Sequence, residues 1–357
     1  MINNMNIIII IAVFCMVLFI YLHIYFQLNT SNDLELYEIE KPSKERLEEI
    51  CDLKQPIIFD YQNEKINEIC NLNYINKNYG AFDVKIRNLQ INDDESELYI
   101  PIKLNAAMQL FKNDNEKKYI SEKNYEFLDE TGLLKCYKYN DAFLRPYAVS
   151  SCDYDIITAS NKITTPFKYD LNYRNYYLVT QGSIKVIMSP PKSKKYLYEY
   201  KDYENFEFTS PINPWDIQPQ YKPDFDKIKC LEITLKPGSI LFIPAFWWYS
   251  FNFTNNASLC TFKYRTYMNT FVNIPKYALN LLQTQNIKRN VIRRINNDIT
   301  TILPTEKTES NITGNTGNTG NTGNTGNTGN TGNTGNTGNI GNIDNIGNID
   351  NNIANNI

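Results

Sequence analysis

Residues 231–253 read LEITLKPGSILFIPAFWWYSFNF. Apolar and polar residues alternate over 231–236, which predicts a β-strand with one apolar face. Pro237-Gly238 predicts a tight turn, because proline presets its φ and glycine accepts a positive φ. The apolar run at 240–243 predicts a second, buried strand. Pro244 should end that strand, since proline has no N–H to donate to a neighbour.

This stretch resembles the second metal-site hairpin of the JmjC and cupin-like family, the Fe(II)/2-oxoglutarate dioxygenases related to the factor-inhibiting asparaginyl hydroxylase, so we expect its two strands to form a hairpin. In that family the pattern is roughly L-x-P-G-D-x-L-F-I-P-x-x-W-W-H. The family's histidine ligand falls on Tyr249 here. The positions that match are Leu235, Pro237, Gly238, Leu241, Phe242, Ile243, Pro244, Trp247 and Trp248. The resemblance implies a mainly β double-stranded β-helix, or jelly roll, with flanking helices.

A second segment, residues 163–191, reads ITTPFKYDLNYRNYYLVTQGSIKVIMSPP. Its β-rich runs at 176–180 and 183–188 predict two strands with Gly182 at the turn between them. It is similar to the family's first metal-site strand, T-P-x-H-x-D, and to the N-x(6)-G-x-K-x(3)-L-x-P-P segment that follows, with one extra residue here between Asp170 and Asn175. The matching positions are Thr165, Pro166, Asp170, Asn175, Gly182, Pro190 and Pro191.

The metal ligands that the resemblance implies are two histidines and one carboxylate. The aligned residues here are Lys168, Asp170 and Tyr249, and only Asp170 is an ordinary ligand. A protonated lysine opposes metal binding, and a phenol with a pKa of about 10 is a poor ligand for Fe(II). The only histidine of the chain, His23, lies in the apolar N-terminal run. We therefore expect a vestigial metal site with no catalytic residue, no bound metal and no cofactor.

The co-substrate pocket that the resemblance implies is altered as well. The family lysine that pairs with 2-oxoglutarate aligns with Ile184, and Lys185 follows one place later. One step along a strand points a side chain to the opposite face, so Lys185 should not replace that lysine. Thr165 and Asn175 remain as polar groups of a vestigial pocket.

Lys168 and Asp170 are two residues apart, so a strand would place them on one face. We expect their charges to pair where iron neutralised the ancestral site, because an unpaired buried carboxylate is costly. The leading hypothesis is a membrane-anchored, inactive binding or structural module with a protein or glycan partner. The alternatives are an active Fe(II)/2-oxoglutarate hydroxylase with non-standard ligands, and an unrelated β-rich membrane protein with a carbohydrate-facing aromatic surface.

Residues 7–26 are almost entirely apolar, and about 20 such residues span the hydrocarbon core as a helix. A cleaved signal peptide is the alternative, but a basic n-region and a small-residue cleavage site are missing, which favours an uncleaved single-pass anchor. The flanking charges leave the orientation open. We predict an anchor at 1–29, a charged stalk at 30–55, the cupin-like domain at 56–273, helices at 274–305 and a tail at 306–357.

The 357 residues carry 36 Lys and Arg against 39 Asp and Glu, which argues against a nucleic-acid partner. Heavy use of Asn, Ile, Lys and Tyr is typical of an AT-rich genome, such as that of a large DNA virus. None of the seven cysteines forms a C-x-x-C pair. Six of them could form three disulfides or stay thiols, and thiols are favoured because a domain of this size needs no covalent staples.

Within residues 274–303, apolar residues recur four apart from 287 to 303, which predicts an amphipathic helix or a helix pair. As in some family members it could form a homodimer interface, or it could pack on its own barrel. Residues 311–357 are Gly-Asn-Thr triplets that grade into Gly-Asn-Ile and Asp-Asn-Ile. Because the triplets lack proline, we predict a disordered tail rather than a collagen-like helix.

Overall fold

A computed structural model of the chain describes residues 2–61, 63–90 and 99–286. The predicted tail at 306–357 and the apolar repeat from 287 to 303 lie outside these residues. The predictions for both segments therefore stay predictions.

Thirteen strands of the described residues form one large mixed sheet. They are β1 (Tyr37–Ile39), β2 (Ile57–Asp60), β3 (Asp83–Asn88), β4 (Ile100–Lys103), β5 (Tyr119–Ser121), β6 (Val149–Ala159), β7 (Phe167–Lys168), β8 (Arg174–Ser189), β9 (Tyr200–Asp202), β10 (Glu207–Ser210), β11 (Leu231–Leu235), β12 (Ser239–Phe242) and β13 (Trp248–Thr266). Within the described ranges, β1 and β2 pair in parallel and the other strand pairs are antiparallel.

Helices flank the sheet, and a 3-10 turn (Pro191–Tyr196) follows β8. The α-helices are α1 (Ile2–Leu28), α2 (Lys44–Cys51), α3 (Glu64–Ile69), α4 (Leu72–Tyr79), α5 (Leu104–Asn113), α6 (Tyr125–Glu130), α7 (Leu133–Asn140), α8 (Lys222–Phe225) and α9 (Tyr267–Asn286). The predicted fold class, mainly β with flanking helices and an N-terminal apolar helix, is confirmed.

β8 is the centre of the site-bearing half of the sheet. It pairs with β13 along one edge, and its other edge pairs with both β11 and β12. β11 lies opposite residues 184–188 and β12 opposite residues 176–178, both antiparallel to β8. The two strands therefore run in the same direction and do not form a hairpin. The Pro237-Gly238 turn, where Gly238 has a φ of 88°, shifts the chain along one strand without reversing it.

β8 runs without interruption, so Gly182 does not separate two strands as predicted. Its φ is 70°, and a Cβ at this position would lie 2.7 Å from the Cα of Ala257. The pairing register between β8 and β13 shifts at this level, from Thr254 opposite Ser183 to Ser258 opposite Gln181. Glycine is required here because the backbone is left-handed and the neighbouring strand bulges against it.

The segment predicted to be a charged stalk, residues 30–55, belongs to the folded unit. Its first strand, β1, adds to the edge of the sheet beside β2. The helix α2 follows Ser43, whose hydroxyl caps it by accepting a hydrogen bond from the Arg46 N–H at 3.2 Å. Leu47, Ile50 and Cys51 are buried in the largest core cluster. Apolar residues hidden among the charges of this segment explain the difference, because their burial stabilises the folded state.

The residues Asn6–Leu28 of α1 form a helix that is long and apolar enough to cross a membrane, and its side chains are not buried in the protein. A signal sequence near the N-terminus would have the same properties. At the other end of the described chain, α9 exposes several apolar side chains, among them Tyr267, Phe271 and Ile274. The homodimer through C-terminal helices stays a prediction.

All seven cysteines lie among the described residues, and none of them forms a disulfide there. Cys51, Cys70 and Cys260 are buried in the core.

Candidate functional site

Asp170 lies directly beyond β7 and is the centre of a compact polar cluster. Its Oδ2 accepts hydrogen bonds from the hydroxyls of Tyr177 at 2.6 Å and Tyr249 at 2.8 Å. The same oxygen lies 3.0 Å from the Nζ of Lys263. The two phenol oxygens are 2.9 Å apart. We call these four residues the Asp170 cluster.

Strand pairing brings the members of the Asp170 cluster together. Tyr249 at the start of β13 pairs with Lys168 of β7, which precedes Asp170 by two residues. Further along β13, Lys263 pairs with Asn175 of β8, two residues before Tyr177. Tyr177 and Tyr249 also share one hydrophobic cluster, which shows that both side chains lie on the same side of the sheet. The cluster therefore depends on the register of three strands.

The charges of the Asp170 cluster stabilise one another. Burial alone would raise the pKa of Asp170, but Lys263, then Lys168, then the two phenols lower it to about 2. Burial likewise acts to lower the pKa of Lys263, yet Asp170 outweighs it and the pKa is raised. Burial and the Asp170 charge hold the pKa values of Tyr177 and Tyr249 well above the ordinary value. At neutral pH the cluster is an ion pair with two neutral phenols.

Glu122, which follows β5, forms a second polar group beside the Asp170 cluster. Its Oε1 accepts a hydrogen bond from the Tyr99 hydroxyl at 3.0 Å and lies 3.4 Å from Arg87 Nη1. Its Oε2 lies 3.5 Å from Lys168 Nζ. Burial would raise the pKa of Glu122, but Lys168, Arg87 and Lys123 lower it to about 2. Asp170 and Glu122 thus each have a cation within ion-pair distance.

The structure brings together two of the three predicted metal-site positions directly, Asp170 and Tyr249. The predicted pair between Lys168 and Asp170 is replaced: the ammonium in contact with Asp170 belongs to Lys263, and Lys168 contacts Glu122. The reason is tertiary, because β13 carries Lys263 past Asp170 while β5 presents a carboxylate to Lys168. Lys168 still lowers the pKa of Asp170 from a greater distance.

The predicted pocket residues are used by the fold itself. The Thr165 hydroxyl accepts a hydrogen bond from the Phe251 N–H at 2.9 Å. The Asn175 amide donates to the Ile243 carbonyl at 3.1 Å. Ile184 is fully buried among apolar side chains, while Lys185, one residue later on β8, is exposed on the opposite face. Neither Ile184 nor Lys185 presents a charge to the Asp170 cluster.

The residues around Asp170 do not fit the iron that the family resemblance implies. An Fe(II) ion at this carboxylate would meet the Lys263 ammonium at ion-pair distance and two phenols that stay protonated. Among the described residues, no group of three or more His, Cys, Asp or Glu side chains is arranged to hold a metal. A metal site needs deprotonated ligands, and this one offers a single carboxylate that is already paired.

Four residues of the site carry no motif that marks them in the sequence: Lys263, Tyr177, Glu122 and Arg87. Lys263 had a detectable signal, because it is a charge within the strongly apolar and aromatic run of β13. Its neighbours Phe262 and Tyr264 belong to one core cluster and Leu259 to the other, so alternation places Lys263 on the Leu259 side. Glu122 and Arg87 lie in short strands and loops that carry no such pattern.

Comparison with known proteins agrees with this architecture. The sequence model of the cupin-like domain matches residues 71–274, more than half of the chain. HSPB1-associated protein 1 from Rattus norvegicus and from Mus musculus are each 33% identical to this chain over 88 residues. That alignment covers 24% of this chain and only 18% of each relative. The matched domain contains β3 to β13 and the whole Asp170 cluster, and the chain therefore belongs to the family of proteins with a cupin-like domain.

Proposed function

We propose that this protein is a membrane-anchored cupin-like binding module that has lost Fe(II)/2-oxoglutarate oxygenase chemistry. The observation that carries the proposal is the 3.0 Å ion pair between Lys263 and Asp170, which supplies internally the positive charge that a metal would bring. Two phenols complete the hydrogen bonding of the same oxygen. Such an arrangement keeps a buried carboxylate satisfied and preserves the fold without a cofactor.

The protonation states also support a binding role. A general acid or base works best with a pKa near the operating pH. In the Asp170 cluster the carboxyl has a pKa of about 2, and the pKa values of Lys263 and both phenols are raised. None of the four groups is poised to exchange a proton near neutral pH.

The junction between α1 and the domain supports a retained anchor. The Lys54 ammonium donates to the carbonyl of Phe26 and, at 2.7 Å, to the carbonyl of Asn29. These carbonyls lie at the C-terminal end of α1, where a cation is favoured by the helix dipole. Cleavage of residues 1–29 as a signal peptide would remove both acceptors and leave the partly buried Lys54 ammonium without them.

The loss of oxygenase chemistry is tested on the full-length chain purified in detergent, loaded with Fe(II) under anaerobic conditions and then assayed with 2-oxoglutarate in air-saturated buffer. We expect substoichiometric iron by mass spectrometry, and succinate formation from 2-oxoglutarate no greater than in Asp170→Asn. Stoichiometric iron, with succinate formation that Asp170→Asn abolishes, would instead establish an active hydroxylase with non-standard ligands.

The anchor is tested separately by expressing the full chain and sequencing the N-terminus of the membrane-bound protein. A retained anchor predicts residues 1–29 in the mature protein and resistance to extraction with alkaline carbonate. A mature protein that begins after residue 29 and leaves the membrane on extraction would show that the segment is a signal peptide.

A further inference from the structure

A cleft of about 110 Å³ lies between the β9–β10 hairpin, the 3-10 turn and α9. Its wall is largely aromatic, and its charged residues are lysines. Its lysines are Lys194, Lys201 and Lys276, and its aromatic residues include Tyr169, Tyr203, Phe246 and Trp248. We call it the lysine cleft.

The lysine cleft is separate from the Asp170 cluster. Tyr169 and Trp248 are the immediate neighbours of Asp170 and Tyr249 in the chain, but they belong to a different hydrophobic cluster. Successive side chains of a strand point to opposite faces. The cleft therefore lies on the reverse side of the strands that build the Asp170 cluster.

The lysine cleft carries more positive than negative charge. Glu199 is the carboxylate of this region: it lies 3.0 Å from Lys194 Nζ and 3.5 Å from Lys201 Nζ, and it accepts a hydrogen bond from the Tyr169 hydroxyl at 2.5 Å. One carboxylate thus serves two lysines, and Lys276 adds a third positive charge. The Asp170 cluster differs, because its lysine has a carboxylate partner of its own.

Lys276 has the least compensated of these charges. It is partly buried, its Nζ donates to the neutral Asn273 Oδ1 at 3.1 Å, and it lies 4.8 Å from the centre of the Phe246 ring. Within the described part of the chain, no Asp or Glu oxygen comes within 4.0 Å of this nitrogen. Burial, followed by the charges of Lys194 and Lys201, lowers the pKa of Lys276 to about 8. An anion in the cleft would relieve the repulsion among the three lysines.

We propose that the lysine cleft binds a small organic anion. Carboxylate or phosphate oxygens would contact Lys276, Lys194 and Lys201, and the carbon body would pack against Phe246 and Tyr203. A closed apolar cavity of about 150 Å³ holds one benzene molecule, so this cleft of about 110 Å³ encloses at most part of one ring, and the rest of the ring would remain at its opening. The ligand is therefore a molecule of about one ring with one anionic group. The inference rests on the geometry of this cleft and does not depend on the loss of oxygenase chemistry.

The test is titration calorimetry on the full chain in detergent at low ionic strength. The probes are benzoate, phenyl phosphate and, as the neutral control, phenol. We expect at least one of the two anions to bind and phenol to bind more weakly. Added salt should lower the affinity for the anion. Binding of benzoate alone identifies a carboxylate ligand, and binding of phenyl phosphate alone identifies a phosphate ligand. Failure of both anions to bind at millimolar concentration would overturn the proposal.

Variants locate the site. Lys276→Gln should lower the affinity for the anion about tenfold or more, since a hydrogen bond to a charged group contributes about 1.5–3 kcal/mol. Lys185→Gln removes the same charge from an exposed position of β8 that does not line the cleft, and it should leave affinity unchanged. Equal affinity in the two variants would refute the location. In a parallel experiment on the unmodified chain, the anion should protect Lys276 from acylation at pH 8, and undiminished acylation would count against the proposal as well.

Discussion

Replacing Lys263 with methionine tests the interpretation of the Asp170 cluster most directly. Lys263→Met keeps most of the side-chain volume on β13 and removes the ammonium that lies 3.0 Å from Asp170. Asp170 would keep its two phenol donors but lose the partner that lowers its pKa most. Its pKa should therefore rise, and at neutral pH the folded chain would hold a poorly compensated charge.

The magnitude follows from the burial of the pair. Removing one partner of a buried ion pair costs about 3–5 kcal/mol, and an exposed pair contributes under about 1 kcal/mol. The side chains of Lys263 and Asp170 keep 18% and 20% of their exposure, so the pair is largely buried. We expect Lys263→Met to lower the free energy of unfolding by about 2–4 kcal/mol at pH 7. The loss should shrink as the pH is lowered, because the variant can then protonate Asp170 and the folded chain no longer holds the charge.

Urea unfolding of the full chain in detergent, followed by tryptophan fluorescence, measures this loss. Lys185→Met is the matched control, since the exposed Lys185 should change stability by less than about 0.5 kcal/mol. Asp170→Asn combined with Lys263→Met should recover most of the lost stability, because it removes the unpaired charge. The reasoning would be refuted if Lys263→Met cost no more than Lys185→Met, or if the double variant were as unstable as the two single changes added together.

Three further predictions concern the scaffold. Gly182→Ala should destabilise the chain more than Gly238→Ala in thermal unfolding. Both glycines have a positive φ, which costs alanine about 1 kcal/mol or more. Of the two, Gly182 is the one where the added Cβ would collide with another strand. Equal losses would show that the close approach of Ala257 is unimportant. The free energy of unfolding should fall as the pH drops from about 4 to 2, because Asp170 and Glu122 have folded pKa values of about 2 while the unfolded chain takes up protons near pH 4. Each group should contribute about 2–3 kcal/mol to that fall, and Asp170→Asn should remove its share in acid titrations. Cys51, Cys70 and Cys260 are buried, so iodoacetamide should leave these three thiols unmodified in the native chain. Mass spectrometry that found them modified before unfolding would contradict the packing.

Much of the fold could be read from local patterns. Alternation at 231–235 and the apolar run that follows predicted β11 and β12, and the glycine of the Pro237-Gly238 turn does adopt a positive φ. The direction of β12 could not be read in the same way. A Pro-Gly turn between two strands is compatible with a hairpin and with a bend along one shared partner, and only the pairing of both strands with β8 distinguishes them.

The segment predicted to be a stalk is a second feature that local patterns could not assign. Residues 30–55 are rich in charge, and only the burial of Leu47, Ile50 and Cys51 places them within the folded unit. The composition of a helix averages over all of its residues, so a charged helix is easily taken for an exposed segment. Whether the helix packs depends on the single face that contacts the core.

The sequence by itself determined which residues occupy the two motif segments. It placed Asp170, Lys168 and Tyr249 where the family resemblance implies metal ligands, and its single histidine lies in the apolar N-terminal helix. The tertiary structure decided which charges meet. Lys263 reaches Asp170, and Lys168 reaches Glu122, through the pairing of strands that are distant in the chain. The physical reason is that alternation assigns a side chain to a face of its strand, whereas the partner across that face is set by register.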